Sequence, residues 1–184
     1  GFKMVLNKHS FFAENIQLLQ KLVDDPNLSF SEGTYKEVDL NNDYINRNLK
    51  NIILNKKLKI AWDIGNGAMG VVIDSFTTLL SNSDHIVINK EVDGTFPNHH
   101  PDPTVPKNML QLIESVKQNN CDIGIAFDGD GDRLGVVDNL GNIIWADQYM
   151  LLLAKEISAI YDNPKIIMDV KCSKMFFDEV KKFN

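Results

Sequence analysis

The sequence has 184 residues, of which 43% are hydrophobic, 24% charged and 9% aromatic, and its formal net charge is −6. This composition excludes an intrinsically disordered chain, and no internal period indicates a repeat protein. The longest apolar runs are far shorter than the roughly 20 residues that a membrane span needs, and the acidic balance argues against general nucleic-acid binding. Two cysteines, Cys121 and Cys172, make no disulfide framework and indicate a reducing compartment. We therefore expect a cytoplasmic protein that binds neither membranes nor nucleic acid.

The first 43 residues predict a strand, a helix and a linker. Residues 2–6 have the apolar character of a strand. Residues 11–25 carry apolar side chains at helical spacing, with Ser10 as the predicted N-cap. Residues 26–43 are polar and contain Pro26 and Gly33, which is typical of a linker.

From residue 44 onward, predicted strands and helices alternate. This alternation predicts an α/β fold, a layered sheet with helices on both faces. One predicted helix directly follows the glycine-rich turn at 65–67, and the others span residues 44–53, 106–118, 147–161 and 174–183. The predicted strands span residues 58–64, 85–89, 123–127, 134–138 and 165–170. Residues 93–106 carry four prolines and predict an ordered loop.

The strongest chemical signal is an acidic loop, Asp128-Gly129-Asp130-Gly131-Asp132, between two predicted strands. Carboxylates at alternate positions can converge on one centre because the intervening glycines let the backbone turn tightly. Three carboxylates favour Mg²⁺ or Ca²⁺ over zinc. An EF-hand is excluded, because it needs Gly at loop position six and Glu at position twelve, where this sequence has Arg133 and Asn139. Asp128, Asp130 and Asp132 are therefore candidate metal ligands, and a solvated acidic hairpin loop is the alternative.

Arg133 is one of only two arginines and directly follows the acidic loop. Its planar guanidinium matches the oxygens of a phosphate group, so an arginine beside a metal site indicates a phosphorylated ligand. The alternative is an ion pair between Arg133 and Asp132 or Asp130.

A glycine-rich turn, Gly65-Asn66-Gly67-Ala68-Met69-Gly70, lies between a predicted strand and a predicted helix. It satisfies the G-x-G-x-x-G spacing of dinucleotide-binding proteins, and Glu91 lies at the distance expected for a ribose contact. Alternatively, the turn is a tight connection that places Asp63 and Asn66 at the carboxyl end of the strand. Two classes of function stay open on these residues: an enzyme acting on a phosphorylated ligand, and a non-catalytic metal- or dinucleotide-binding α/β module.

His99 and His100 lie in the proline-rich loop without Cys or His at ligand spacing, so a packing role is predicted for that loop. Cys121 and Cys172 are predicted to be buried, inert thiols.

Taken in order, five segments resemble the α-D-phosphohexomutase superfamily, most closely its bacterial phosphomannomutase/phosphoglucomutase branch. They are Gly1–Lys3, Asp63–Gly67, Val92–Pro103, Ala126–Arg133 and Asp169–Cys172. The segments occur in the family's order and extend over nearly the whole chain.

The resemblance implies a Mg²⁺-dependent phosphotransferase that interconverts hexose 1-phosphates and 6-phosphates of mannose or glucose. The reaction passes through a phosphoserine and a bisphosphorylated sugar, and glucose or mannose 1,6-bisphosphate serves as intermediate and activator. The implied roles are metal ligation by Asp128, Asp130 and Asp132, catalysis and substrate contact by Arg133, proximity to the reacting phosphate for Lys3, and substrate contact for Lys171. In this family the glycine-rich turn binds no nucleotide.

The resemblance also implies a domain organisation. Residues 1–43 would be the end of domain 1 with a linker, residues 44–144 domain 2 with the metal-binding loop, and residues 145–184 the start of domain 3. The family's phosphoserine motif, its sugar-selecting loop and its fourth domain have no counterpart in the 184 residues. We therefore expect an internal fragment that is inactive alone, whose partners are the sugar phosphate and the other domains of its parent chain.

Overall fold

The structure is a computed structural model that describes residues 4–183. The chain divides into two compact units, Gly1–Asp39 and Leu40–Asn184. No helix in the described part of the chain is both long and apolar enough to cross a membrane. The three predicted domains and their two boundaries stay predictions.

In the first unit, a β-hairpin precedes one helix. Strand β1 (Met4–Leu6) pairs antiparallel with β2 (His9–Phe11), and helix α1 spans Glu14–Val23. The prediction that Ser10 caps this helix was wrong, because Ser10 pairs with Val5 in the hairpin and α1 begins after Ala13. Phe11, the first residue of the predicted helix, instead ends strand β2.

The second unit is built on a mixed sheet of five strands in the order β4-β3-β5-β6-β7. The strands are β3 (Leu58–Asp63), β4 (Ser83–Ile88), β5 (Ile123–Phe127), β6 (Leu134–Asp138) and β7 (Ile143–Ile144). The helices are α2 (Asn41–Leu49), α3 (Ile73–Leu79), α4 (Leu110–Asn119), α5 (Ala146–Ile160) and α6 (Lys174–Val180). Two short 3₁₀ turns, Ala68–Val71 and Pro106–Met109, precede α3 and α4.

Helices cover both faces of the sheet. Successive side chains of β3 point to opposite faces, so this strand contributes to the core on each side. On one face, Ile60 and Trp62 pack with Ile45 of α2 and Ile73 of α3. On the opposite face, Ala61 lies in a core with residues of α4. The core members supplied by α4 are Leu112 and Val116, both fully buried. The predicted α/β fold, a layered sheet with helices on both faces, is confirmed.

The topology brings three loops to one edge of the sheet. Strand β3 is parallel to both β4 and β5, with Asp63 opposite Ile88 on one side and Ala126 on the other. The segments that leave the carboxyl ends of these strands therefore emerge side by side, which is where open α/β sheets bind ligands.

The strand predicted over residues 165–170 was wrong. These residues adopt no regular structure, and Ile167 and Val170 are 93% and 92% exposed. An apolar run forms a strand only where another strand takes up its backbone hydrogen bonds, and no described strand pairs with this segment.

Candidate metal centre

The acidic loop, residues 128–133, connects β5 to β6, which pair antiparallel with Phe127 opposite Leu134. The Asp128 N–H donates to the Arg133 carbonyl at 3.1 Å, and the Gly131 N–H donates to the Asp128 carbonyl at 3.1 Å. Gly131 has φ +74°, in the left-handed region that favours glycine. The loop is therefore a tight turn with both ends fixed by the sheet.

The three predicted metal ligands lie together in this loop. One carboxylate oxygen from each of Asp128, Asp130 and Asp132 lies within 4.8 Å of the other two, and only Asp128 is buried. Opposite oxygens around a bound ion lie about 4.2 Å apart for Mg²⁺ and about 5 Å apart for Ca²⁺, by doubling the usual metal–oxygen distances. Three carboxylates without Cys or His match a hard cation, and the two exposed members give it a route from solvent. The residues therefore fit a divalent cation of this class.

Arg133, the last residue of the acidic loop, bonds back to Asp128, the first residue of the loop, although the Arg133 side chain is 58% exposed. Its backbone N–H donates to Asp128 Oδ1 at 3.0 Å and its Nε donates to Asp128 Oδ2 at 2.8 Å. Asp132 and Asp102 lie at longer ion-pair distances of 3.7 and 3.9 Å. The hydrogen bond and charge of Asp128 raise the pKa of Arg133, so this group is a permanent cation beside the carboxylates.

The glycine-rich turn, residues 65–70, supports the acidic loop from one side. The Ala68 N–H donates to the Gly129 carbonyl at 2.9 Å, and a Cβ added to Gly67 would lie 2.7 Å from that same oxygen. A Cβ at Gly70 would collide with the Lys90 carbonyl. These glycines therefore face the chain's own backbone, which fills the space that a pyrophosphate would need. The geometry favours a tight connection over a dinucleotide site.

The proline-rich loop, residues 93–105, covers the acidic loop from another side. A Cβ at Gly129 would lie 3.4 Å from Pro101 Cγ and 3.5 Å from Phe96 Cζ. Pro101 also lies 3.0 Å from the position of a Cβ on Gly65. Since glycine leaves these approaches open, three separate loops meet closely at Gly129 and Gly65.

A buried polar network joins the glycine-rich turn to the proline-rich loop. Asp63, fully buried at the end of β3, accepts hydrogen bonds from the Gly65 N–H at 3.0 Å and Asn89 Nδ2 at 2.9 Å. His99 Nε2 lies 2.9 Å from the second carboxylate oxygen of Asp63. In the described part of the chain no Cys or further His joins His99 in a metal-ligand group.

The predicted lysine sites have different outcomes. Lys3 lies outside the described residues. Lys171 is 86% exposed, pairs with Asp169 at 3.7 Å, and borders an open groove of about 420 Å³ that Thr104 and Trp145 also line. The structure therefore assigns Lys171 to a solvent-exposed groove outside the acidic loop.

Sequence reasoning missed Asp102, which lies between the acidic loop and this groove. Its carboxylate is 3.9 Å from Arg133 Nη1 and accepts hydrogen bonds from the Thr104 side chain at 2.7 Å and backbone N–H at 3.0 Å. These hydrogen bonds hold the pKa of Asp102 below its ordinary value. The signal available in the sequence was an Asp followed two residues later by Thr, a common turn pattern. Of the two thiols, Cys121 is buried, which raises its pKa, and Cys172 is half-buried.

Comparison with known proteins identifies the family. Residues 42–141 match the family profile of phosphoglucomutase/phosphomannomutase, alpha/beta/alpha domain II. A phosphomannomutase/phosphoglucomutase of Pseudomonas aeruginosa is 41% identical over 174 residues, which are 95% of this chain and 37% of that protein. A phosphoglucomutase of Neisseria meningitidis is 39% identical over 184 residues, or 99% of this chain and 40% of that protein.

A solved structure agrees with these relatives. The crystal structure of a phosphoglucomutase/phosphomannomutase family protein from Burkholderia thailandensis superimposes with a TM-score of 0.88 at 37% identity, covering 100% of this chain and 40% of that one. The chain thus spans about two fifths of the length of these relatives. With the profile match extending over more than half of its residues, the chain belongs to the phosphoglucomutase/phosphomannomutase family.

Proposed function

We propose that this chain is part of a phosphohexomutase that moves a phosphoryl group between the 1- and 6-positions of mannose or glucose. The sugar class comes from the names of the relatives, which are phosphomannomutases and phosphoglucomutases. The observation that carries the proposal is the convergence of three carboxylates beside the positively charged guanidinium of Arg133, in the region that matches the family's second domain. In the proposed reaction, a phosphoserine outside these 184 residues exchanges phosphate with the sugar through a bisphosphorylated intermediate, which also acts as activator.

Asp128, Asp130 and Asp132 would hold Mg²⁺ in this proposal. When bound, the ion supplies positive charge that stabilises the oxygens of a transferring phosphoryl group. Asp128 is anchored by two hydrogen bonds from Arg133, so the buried ligand is already oriented before a cation arrives. The exposed Asp130 and Asp132 complete the ligand set from the solvent side.

Arg133 has a second part in the proposal. Its Nε donates to Asp128 Oδ2 at 2.8 Å, whereas its Nη1 lies 3.9 Å from Asp102 Oδ1, beyond hydrogen-bond distance. A guanidinium held in this way can direct its outer nitrogens toward a phosphate group that shares the cation. Lys171 would bind the substrate from the groove, and Lys3 would lie near the reacting phosphate.

The test is a cation titration of the chain with the Asp130→Asn variant. We expect the wild type to bind Mn²⁺ in calorimetry. Mutation of residues that only support metal ligands lowers affinity roughly 10–100-fold, and Asp130→Asn should lower it further, because a ligand itself is lost. Asp84→Asn is the matched control, because Asp84 is an exposed, ion-paired aspartate at the amino end of β4. Equal Mn²⁺ affinity in the wild type and Asp130→Asn would contradict the metal site.

The proposed enzymatic activity is tested in a separate experiment. A coupled assay with mannose 1-phosphate or glucose 1-phosphate and Mg²⁺ should detect turnover by a protein that joins these residues to the remaining length of its relatives. The 184 residues by themselves should give none, since they span about two fifths of those relatives. Turnover by these residues alone would refute the proposed division of the active site.

A further inference from the structure

The buried pair of Asp63 and His99, called here the Asp63–His99 pair, contributes no predicted metal ligand. Asp63 is 0% exposed and the His99 side chain 13% exposed, so the carboxylate is fully buried and the ring partly buried. A carboxylate buried to this extent is strongly destabilised unless its oxygens are hydrogen-bonded. The pair is therefore a costly feature whose role the proposed reaction does not explain.

His99 uses both ring nitrogens in the pair. Its Nε2 lies 2.9 Å from Asp63 Oδ2, and its Nδ1 lies 3.0 Å from the His100 carbonyl. Each ring nitrogen therefore lies within hydrogen-bond distance of an oxygen atom. Asp63 Oδ1 in turn accepts hydrogen bonds from the Gly65 N–H and from Asn89 Nδ2. One carboxylate thereby binds both the turn that follows β3 and the residue that follows β4.

Packing contacts and one backbone hydrogen bond lead from this pair to the acidic loop. Pro101, two residues after His99, lies 3.0 Å from a Cβ position on Gly65 and 3.4 Å from one on Gly129. On the other side of Gly129, its carbonyl accepts the Ala68 N–H at 2.9 Å. Gly129 is therefore held between the two segments that the Asp63–His99 pair joins.

A second set of hydrogen bonds acts in the same direction. Asn66 is 4% exposed, and its Oδ1 accepts from Asn98 Nδ2 at 2.9 Å. Its Nδ2 donates to the Glu91 carbonyl at 2.8 Å. The turn after β3 is thus tied to the proline-rich loop at two points, on either side of Gly65.

We propose that Asp63 and His99 are positioning residues of the cation site. By joining the glycine-rich turn to the proline-rich loop, they fix Gly129 and so set the distance between the carboxylates of Asp128 and Asp130. Neither residue touches the cation. This inference rests on the metal site of the proposed function and adds the residues that give it its geometry.

The test uses the 184-residue chain with Mn²⁺ calorimetry and Tb³⁺ luminescence lifetimes in H₂O and D₂O, which count the waters on the bound ion. His99→Gln removes the imidazole ring that lies between Asp63 and the His100 carbonyl, and Asp63→Asn removes the carboxylate. Each should weaken Mn²⁺ binding by about 10-fold or more and raise the number of waters on Tb³⁺, because one carboxylate no longer reaches the ion.

His85→Gln is the matched control. His85 is also a half-buried histidine with two hydrogen bonds, from Trp62 Nε1 at 3.1 Å and to the Leu80 carbonyl at 3.1 Å. It lies near the amino end of β4, at the opposite edge of the sheet from the acidic loop. This variant should lose stability without changing cation affinity or the Tb³⁺ water count.

The outcomes separate the two proposals. If Asp130→Asn leaves Mn²⁺ affinity unchanged, the metal site itself is refuted. If Asp130→Asn abolishes binding while folded His99→Gln and Asp63→Asn bind as the wild type does, only the positioning role is refuted.

A measurement on the wild type tests the inference even if the variants do not fold. Coupling between two sites is reciprocal, so Mg²⁺ must slow hydrogen exchange at the Gly65 and Ala68 amides, which donate to Asp63 and to the Gly129 carbonyl. Exchange at these amides that is unchanged by Mg²⁺, while the Arg133 amide becomes protected, would overturn the inference.

Discussion

At the scale of single residues, the candidate site combines a part that is local in sequence with a part that is not. The three aspartates occupy alternate positions and Arg133 directly follows the last of them, so their convergence could be predicted from spacing alone. The contacts of Asp63 with Asn89 and His99 join residues 26 and 36 positions apart. No periodicity or turn rule connects such positions, and only the arrangement of parallel strands brings them together.

Gly67→Ala tests the close approach of two loops. An added Cβ would lie 2.7 Å from the Gly129 carbonyl and 3.1 Å from its Cα, and backbone atoms cannot rotate away. We expect a loss of about 1–3 kcal/mol in the free energy of unfolding, as for other overpacked positions, measured by urea titration. Mn²⁺ affinity should fall as well, because Gly129 is displaced.

Gly94→Ala is the control for this substitution. Gly94 has no atom within 4 Å of an added Cβ and lies in the proline-rich loop. Alanine there should leave both stability and Mn²⁺ affinity near the wild-type values. A Gly67→Ala protein that behaves in the same way would show that the loops are not in firm contact.

At the scale of elements, strands with clear boundaries were predicted well. The strands at 123–127 and 134–138 coincide with β5 and β6, because turn residues and glycines delimit both. Strand β7 was missed because two residues carry no periodicity. Helix α2 begins at Asn41, three residues before the predicted start, since Asn and Asp are weak helix formers and were assigned to the linker.

The hairpin of β6 and β7 gives a pH prediction. Asp138 accepts hydrogen bonds from the Asn142 side chain at 2.9 Å and from the N–H groups of Asn142 and Leu140 at 2.8 and 2.9 Å. These bonds, with the Asn142 side chain contributing most, lower the pKa of Asp138. A carboxyl with a lowered pKa stabilises the fold above its unfolded pKa of about 4, and this contribution is lost as the pH falls through the folded pKa.

Unfolding experiments on Asp138→Asn check this sign. Between about pH 4 and pH 2, the variant's free energy of unfolding should decline less steeply than that of the wild type, because one titrating group is removed. Near pH 7 the variant should be the less stable protein. Parallel pH curves for the two proteins would show that Asp138 does not contribute through its charge.

At the scale of the whole molecule, the boundary between the two compact units follows a long segment without regular structure. Residues 28–40 contain no helix or strand, and Phe30 and Tyr35 are 85% and 87% exposed. Exposed segments of this kind are cut first by proteases. The polar composition of residues 26–43 predicts a linker, and the segment without regular structure lies within that range, while helix α2 begins at Asn41.

Limited proteolysis with chymotrypsin should therefore cleave first after Phe30 or Tyr35. The second unit should survive as a fragment beginning between residues 31 and 40, as read by mass spectrometry. Phe127 and Phe76, which pack against the core around Trp62, serve as internal controls and should resist cleavage until the sheet unfolds. Initial cleavage inside β5 would contradict the compactness of this unit.

The place of the acidic loop between β5 and β6 has a consequence for the order of folding. A hairpin joins neighbours in the sequence and forms quickly, so the carboxylates are gathered early by a local event. The contacts that fix Gly129 come from Ala68 and Pro101, which lie much earlier in the chain and reach the hairpin only when β3 and β4 have joined the sheet. Tight cation binding is therefore expected only after β3 and β4 have joined the sheet, and it would report that step of assembly.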